Sequence, residues 1–195
     1  MIDKAMNITQ SPSPNFYSRQ GYKPELIVVH VTDGYAHGDL HYLQNPNPPG
    51  GVGPVSAHFY IDPAGAIHQL VREDQGAWHA GRVLNPTAKL LKKNWLGQHV
   101  NPNYYTVGIE VSCKPPVEPT PAQMVSLKWL IGNHLKTLLN VTIDRDHIIG
   151  HREIFAGKTC PATLNVDKLV TELMPPAVDR SAIVKQIKEL ADKLL

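Results

Sequence analysis

Apolar positions fall along this 195-residue chain in runs of two kinds, one short and unbroken, the other spaced three and four apart. ELIVVHVT, Glu25 to Thr32, is a β-branched run entered through Pro24 and left through Asp33-Gly34, which predicts a buried strand ending in a turn. VSAHFYID and GAIHQLV alternate around Pro63-Ala64-Gly65 and predict a β-hairpin. TVGIEVS, Thr106 to Ser112, predicts a further strand. From Thr120 the period changes to that of a helix: threonine at the cap, proline at the first turn, then Met124, Leu127, Leu130, Ile131, Leu135, Leu138 and Leu139. LNPTAKLLKKNWLGQ, residues 84–98, suggests a shorter helix, and the Pro- and Gly-rich stretch Asn45 to Pro54 suggests a loop.

After Pro175-Pro176 the tail places Ile183, Ile187, Leu190 and Leu194 on one helical stripe. Strands, hairpin, strand and strong helix predict an α/β fold: a single domain with a central mixed β-sheet flanked by helices, plus a C-terminal helix. The expected divisions are an N-terminal extension over 1–22, the main domain over 23–174, and a linker with the C-terminal helix over 175–195.

Composition narrows the function classes. With 19 Lys+Arg against 17 Asp+Glu and no long run of one sign, nothing calls for a nucleic-acid partner. No segment approaches the roughly 18 apolar residues of a membrane span, and the first residues lack the apolar core of a signal peptide. The expectation is synthesis in the cytoplasm. Cys113 and Cys160 are too few for a disulfide scaffold, although one bridge between them is possible on paper. Ten histidines favour metal or proton chemistry without naming a residue.

Candidate chemistry gathers in GHREIFAGKTCP, Gly150 to Pro161, where one loop holds a histidine, a lysine and a cysteine. His30 at a strand end, with His151 and Cys160, makes the count of three protein ligands that leaves a zinc ion one open position. Their spacing matches no zinc finger, so a buried thiol with two unrelated histidines is the favoured reading of the residues alone.

Read together, VVHVTDG, SAHFYIDPAGAIHQLV, AWHAG, VGIEVS and GHREIFAGKTCP resemble, in that order, the type 2 N-acetylmuramoyl-L-alanine amidases, the zinc amidases that include peptidoglycan recognition proteins and phage endolysins. The resemblance runs from about Glu25 to Leu173. It implies a zinc site at the strand ends with His30, His151 and Cys160 as ligands, Glu110 as catalytic base, Lys158 as the basic group beside the metal, and Trp78 and His79 as substrate contacts. It further implies hydrolysis of the amide between N-acetylmuramic acid and L-alanine in peptidoglycan, as in an endolysin or autolysin acting on the wall once the membrane is breached. A cytosolic amidase recycling soluble muropeptides and a non-catalytic peptidoglycan-binding module are the alternatives. Ala57, where some relatives carry tyrosine, fits the branch that relies on glutamate. Cys160, where recycling enzymes tend to carry aspartate, leans towards the lytic branch.

Overall fold

The computed structural model describes residues 6–34, 36–50 and 53–174. In chain order the strands are β1 (Ile8–Gln10), β2 (Phe16–Ser18), β3 (Leu26–Val31), β4 (Phe59–Ile61), β5 (Ile67–Gln69), β6 (Gln75–Ala77), β7 (Thr106–Val111) and β8 (Ile148–Gly150). The helices are α1 (Ala36–Gln44), α2 (Pro121–Trp129), α3 (Lys136–Leu139) and α4 (Val166–Leu173). Six strands form one mixed sheet in the order β1-β5-β4-β7-β3-β8, and β2 pairs with β6 in a separate antiparallel ribbon. The expected α/β class, the hairpin (β4 and β5, antiparallel) and the strands at Glu25 and Thr106 are all present.

The unbroken apolar run of β3 conceals a two-residue alternation. Ile27, Val29 and Val31 join Val107, Ile109 and Val111 of β7 and Leu127, Leu130, Ile131, Leu135, Leu169 and Val170 of the helices in the larger core. Leu26 and Val28 point the other way, to a smaller core with Ala80, Leu91, Tyr105, Ile149 and Ile154. By the same alternation His30 and Glu110 share this second face. Both faces of β3 and β7 are therefore covered, as parallel strands require, and the run shows no polar positions until its end.

Thr120 caps α2 through a reciprocal capping box with Gln123, an arrangement worth about 1 kcal/mol. The helix predicted to run on from there is interrupted: Leu130–Leu135 forms a π-helical turn before α3. The wider turn lets Leu130, Ile131 and Leu135 all bury, and carries His134 round to Glu73, 3.2 Å away.

Two other expectations give way. Residues 84–98 form no helix; their backbone is tied to neighbouring loops instead, Leu84 N–H to the Ile154 carbonyl and Lys92 N–H to the Tyr105 hydroxyl, with a tight turn at Asn94–Gln98. The apolar residues that suggested a helix are split, Leu91 buried and Leu90, Trp95 and Leu96 exposed. Within the expected N-terminal extension, β1 pairs in parallel with β5 and β2 pairs with β6, so those residues are part of the fold. The predicted C-terminal helix lies outside the described residues.

Candidate metal centre and cleft

β3 and β7 run parallel with His30 opposite Glu110, which puts both side chains at the carboxyl ends of adjacent central strands. β8 lies on the other side of β3 and delivers His151 one residue past its end. There the chain folds back sharply: Phe155 N–H donates to the His151 carbonyl, Lys158 N–H to the Phe155 carbonyl and Arg152 N–H to the Cys160 carbonyl. This loop returns Cys160 beside His151. Gly150 is needed for the approach, because a Cβ there would lie 2.5 Å from Pro161 Cδ.

The ligand atoms of His30, His151 and Cys160 all lie within 4.8 Å of one another. His30 Nδ1 stands 3.7 Å from Cys160 Sγ. Two ligands on a tetrahedral zinc, one nitrogen and one thiolate, would be about 3.5 Å apart. His30 Nε2 is 3.1 Å from His79 Nδ1, and His151 Nε2 is 3.1 Å from the Ala80 carbonyl, so each imidazole is engaged through Nε2 and keeps Nδ1 for the centre.

With protein groups alone, burial above all keeps this centre uncharged. Burial, then the His151 and Lys158 charges, hold the His30 pKa well below its usual range; burial and Lys158 bring His151 down to about 4. Burial and the nearby Glu110 push the Cys160 thiol up to about 12. Burial, then Asp39, push Glu110 up to about 8. Neutral imidazoles beside acids that resist ionisation form a donor set whose thiolate form a dication would stabilise, and which suits zinc's borderline softness.

Glu110 Oε1 is 3.9 Å from His30 Nδ1, while its Oε2 is buried with no hydrogen-bond partner among the described residues. Lys158 is exposed on the rim. An open cleft of about 980 Å³ crosses the centre, walled by Trp78, Arg82, Asn103 and Phe155 as well as the residues already named. Trp78 is 39% exposed and packs on Tyr17 with ring centroids 4.4 Å apart.

The other histidines are elsewhere. His58 is fully buried, accepting at Nδ1 from Gly108 N–H; His68 meets Ser11, and His147 pairs with Asp144. Both cysteines are free, with Cys113 Sγ donating to the Val117 carbonyl. The bridge between them is absent and Cys160 stays available. Sequence reasoning did not single out Asp39, Arg82, Asn103 or Phe155. Phe155 lies inside the loop Gly150 to Pro161, whereas the fold alone brings Arg82 and Asn103 to the cleft and the charge of Asp39 into reach of Glu110.

Comparison with known proteins supplies the family. The sequence profile described as N-acetylmuramoyl-L-alanine amidase matches residues 20–163. This chain belongs to that family. Within it, the chain is 31% identical over 110 residues to N-acetylmuramoyl-L-alanine amidase A of Achromobacter lyticus, covering 56% of this chain and 49% of that protein. The chain thus spans about half the length of this curated amidase. The amidase fold is matched by a selenomethionine derivative of AmpD at a TM-score of 0.67 and 24% identity, over 88% of this chain and all of that one. It is also matched by the N-acetylmuramoyl-L-alanine amidase LysC from Clostridium intestinale, at a TM-score of 0.60 and 20% identity, over 87% of this chain and 98% of that one. The E. coli amidase AmiD, solved with an anhydro-muramyl peptide substrate, matches at a TM-score of 0.59 and 20% identity, over 85% of this chain and 62% of that one.

Proposed function

We propose that this chain hydrolyses the amide bond between N-acetylmuramic acid and L-alanine in peptidoglycan, with zinc held by His30, His151 and Cys160. The observation that carries the reading is the meeting of these three side chains within 4.8 Å, with Glu110 3.9 Å from His30, in a member of this family. The catalytic unit includes the paired N-terminal strands β1 and β2 and extends to residue 174. We place the site of action at the cell wall, on the strength of the family match.

When bound, zinc polarises the scissile carbonyl and lowers the pKa of water from 15.7 towards about 7. The remaining steps belong to the chain. Glu110 takes the proton of the attacking water and passes it to the nitrogen of the departing L-alanine as the carbon–nitrogen bond breaks. Burial and Asp39 raise this carboxyl and a dication beside it would draw it back down, which favours a value suited to both halves of that transfer. Lys158 brings positive charge to the oxyanion that develops on the carbonyl oxygen. Trp78 offers an exposed ring face on the cleft wall for substrate.

The deciding experiment is mass spectrometry of products from purified peptidoglycan treated with protein as isolated, chelated, and chelated then resupplied with zinc. Release of peptides bearing a new L-alanine amine, lost on chelation and regained with zinc, is the expected result. No cleavage of either sacculi or soluble muropeptides would sink the proposal. Cleavage of soluble muropeptides alone would favour a recycling role over a lytic one.

A further inference from the structure

Two adjacent residues engage both candidate histidine ligands from behind. The His79 ring meets His30 Nε2 at 3.1 Å through its Nδ1, and the carbonyl of Ala80 meets His151 Nε2 at 3.1 Å. We propose that the dipeptide His79-Ala80 is a bracket that sets the tautomer and orientation of both imidazoles, making His79 a positioning residue for the metal centre. The inference rests on the reading of His30, His151 and Cys160 as metal ligands.

The hydrogen bonds have a fixed direction once His30 coordinates through Nδ1, the nitrogen that faces Cys160. Its Nε2 then carries the proton and donates to His79 Nδ1. His79 in turn carries its proton on Nε2, 3.1 Å from Thr106 Oγ1, which accepts. His151 likewise carries its proton on Nε2 and donates it to the Ala80 carbonyl. Each ring N–H in this chain meets an acceptor, as buried polar groups require.

The bracket itself is anchored. Asn103 is 2% exposed, and its Oδ1 accepts from both His79 N–H (3.3 Å) and Ala80 N–H (2.7 Å). Asn103 is placed in turn by its own N–H donating to Asn101 Oδ1 at the start of a short 3-10 turn, Pro102–Tyr104. On the other side the His79 ring lies against β7 at Gly108, where a Cβ would be 2.4 Å from the ring. Glycine inside a strand whose other residues, apart from Glu110, are β-branched marks such a close approach. With 7% exposure and both ring nitrogens engaged, His79 has none to offer substrate, so the role implied for it by family resemblance passes to Trp78.

Outer partners of metal-bound histidines typically contribute about 10–100-fold in metal affinity. The test is zinc affinity of the full chain, measured by competition with a chromophoric chelator, for wild type, His79→Leu and Thr106→Val. His79→Leu is expected to raise the zinc Kd about 10–100-fold. Thr106→Val, which keeps the shape of the side chain and removes only the acceptor, serves in its place should His79→Leu not fold, with an expected rise of about tenfold. Nitrogen chemical shifts of the zinc-loaded protein supply a readout that a merely structural role would not move: His79 is expected as the Nε2–H tautomer. Folded variants that hold zinc within about twofold of wild type, or a His79 protonated on Nδ1, would overturn the bracket. A wild-type chain that binds no zinc would overturn the metal-site reading, and the bracket with it.

Discussion

His30 and Glu110 sit opposite one another on parallel strands β3 and β7, Nδ1 to Oε1 3.9 Å, a candidate ligand and a candidate base fixed by one line of strand register. A slip of one residue in either strand would turn that side chain into the apolar core, since Val29, Val31, Ile109 and Val111 all point there. The pair is therefore as rigid as the sheet, and each partner can be tested separately.

Replacing Glu110 with glutamine keeps the shape and removes the proton acceptor. We expect kcat to fall by about 10²–10⁴-fold, the usual contribution of a positioned acid–base group, with zinc content unchanged. Steady-state kinetics beside metal analysis checks this. Wild-type turnover in E110Q would show that the base lies elsewhere.

Cys160→Ser exchanges a soft thiolate for a hydroxyl that ionises far less readily. Zinc affinity is expected to fall by more than the roughly 10–100-fold that loss of an outer partner causes, and turnover with it. Because Cys160 is only partly buried, thermal unfolding of the chelated protein should change little. A variant with intact zinc affinity would remove Cys160 from the ligand set.

Lys158 makes no side-chain ion pair with an acidic residue among the described residues, and its charge acts on His30, His151 and Cys160. Lys158→Met should lower kcat by about 10²–10³-fold, the range for loss of one oxyanion donor, with a smaller change in KM. An effect on KM alone would make it a binding residue.

Stability should depend on pH through His58. Burial and then the Arg19 guanidinium, whose nearest nitrogen is 2.7 Å from Nε2, bring its pKa down to about 3. Its Nδ1 already accepts from Gly108 N–H, so protonation there would set donor against donor. The unfolded chain, with an ordinary value near 6.5, takes up the proton first. The stabilisation is thus complete above pH 6.5 and is lost as pH falls towards 3. Between pH 6.5 and 5 this one group removes about 1.5 kcal/mol. The gap in unfolding free energy between chelated wild type and His58→Gln, taken from urea melts, should change by that amount over that interval, and parallel curves would refute the assignment.

Much of this was open to a reader of the sequence. The β-branched runs and their bounding turns announced β3, β7 and the hairpin, because local sterics and periodicity suffice for strands of that kind. The ordered motifs pointed to the family, and with it to His30, Glu110, His151, Lys158 and Cys160. Residues 84–98 misled because their apolar spacing answers to several neighbouring loops rather than to one helix face. The π-helical turn at Leu130–Leu135 was hidden for a similar reason: it is the packing of Leu130, Ile131 and Leu135 that selects a five-residue step, and no local preference signals it.

By itself, then, the chain's order of residues marked β3, β7 and the hairpin as strands, and nominated the side chains proposed here for metal and acid–base chemistry. Tertiary structure alone decided how these meet: the parallel register that sets His30 beside Glu110, the folded loop that returns Cys160 to His151, and the partners on their far sides. His79, Ala80, Gly108 and Asn103 lie far apart in sequence from the histidines they support, and a hydrogen bond across 49 or 71 residues leaves no periodic trace. Local spacing encodes what short-range sterics can enforce, whereas the orientation of a ligand is fixed by groups that only the packed sheet brings within reach.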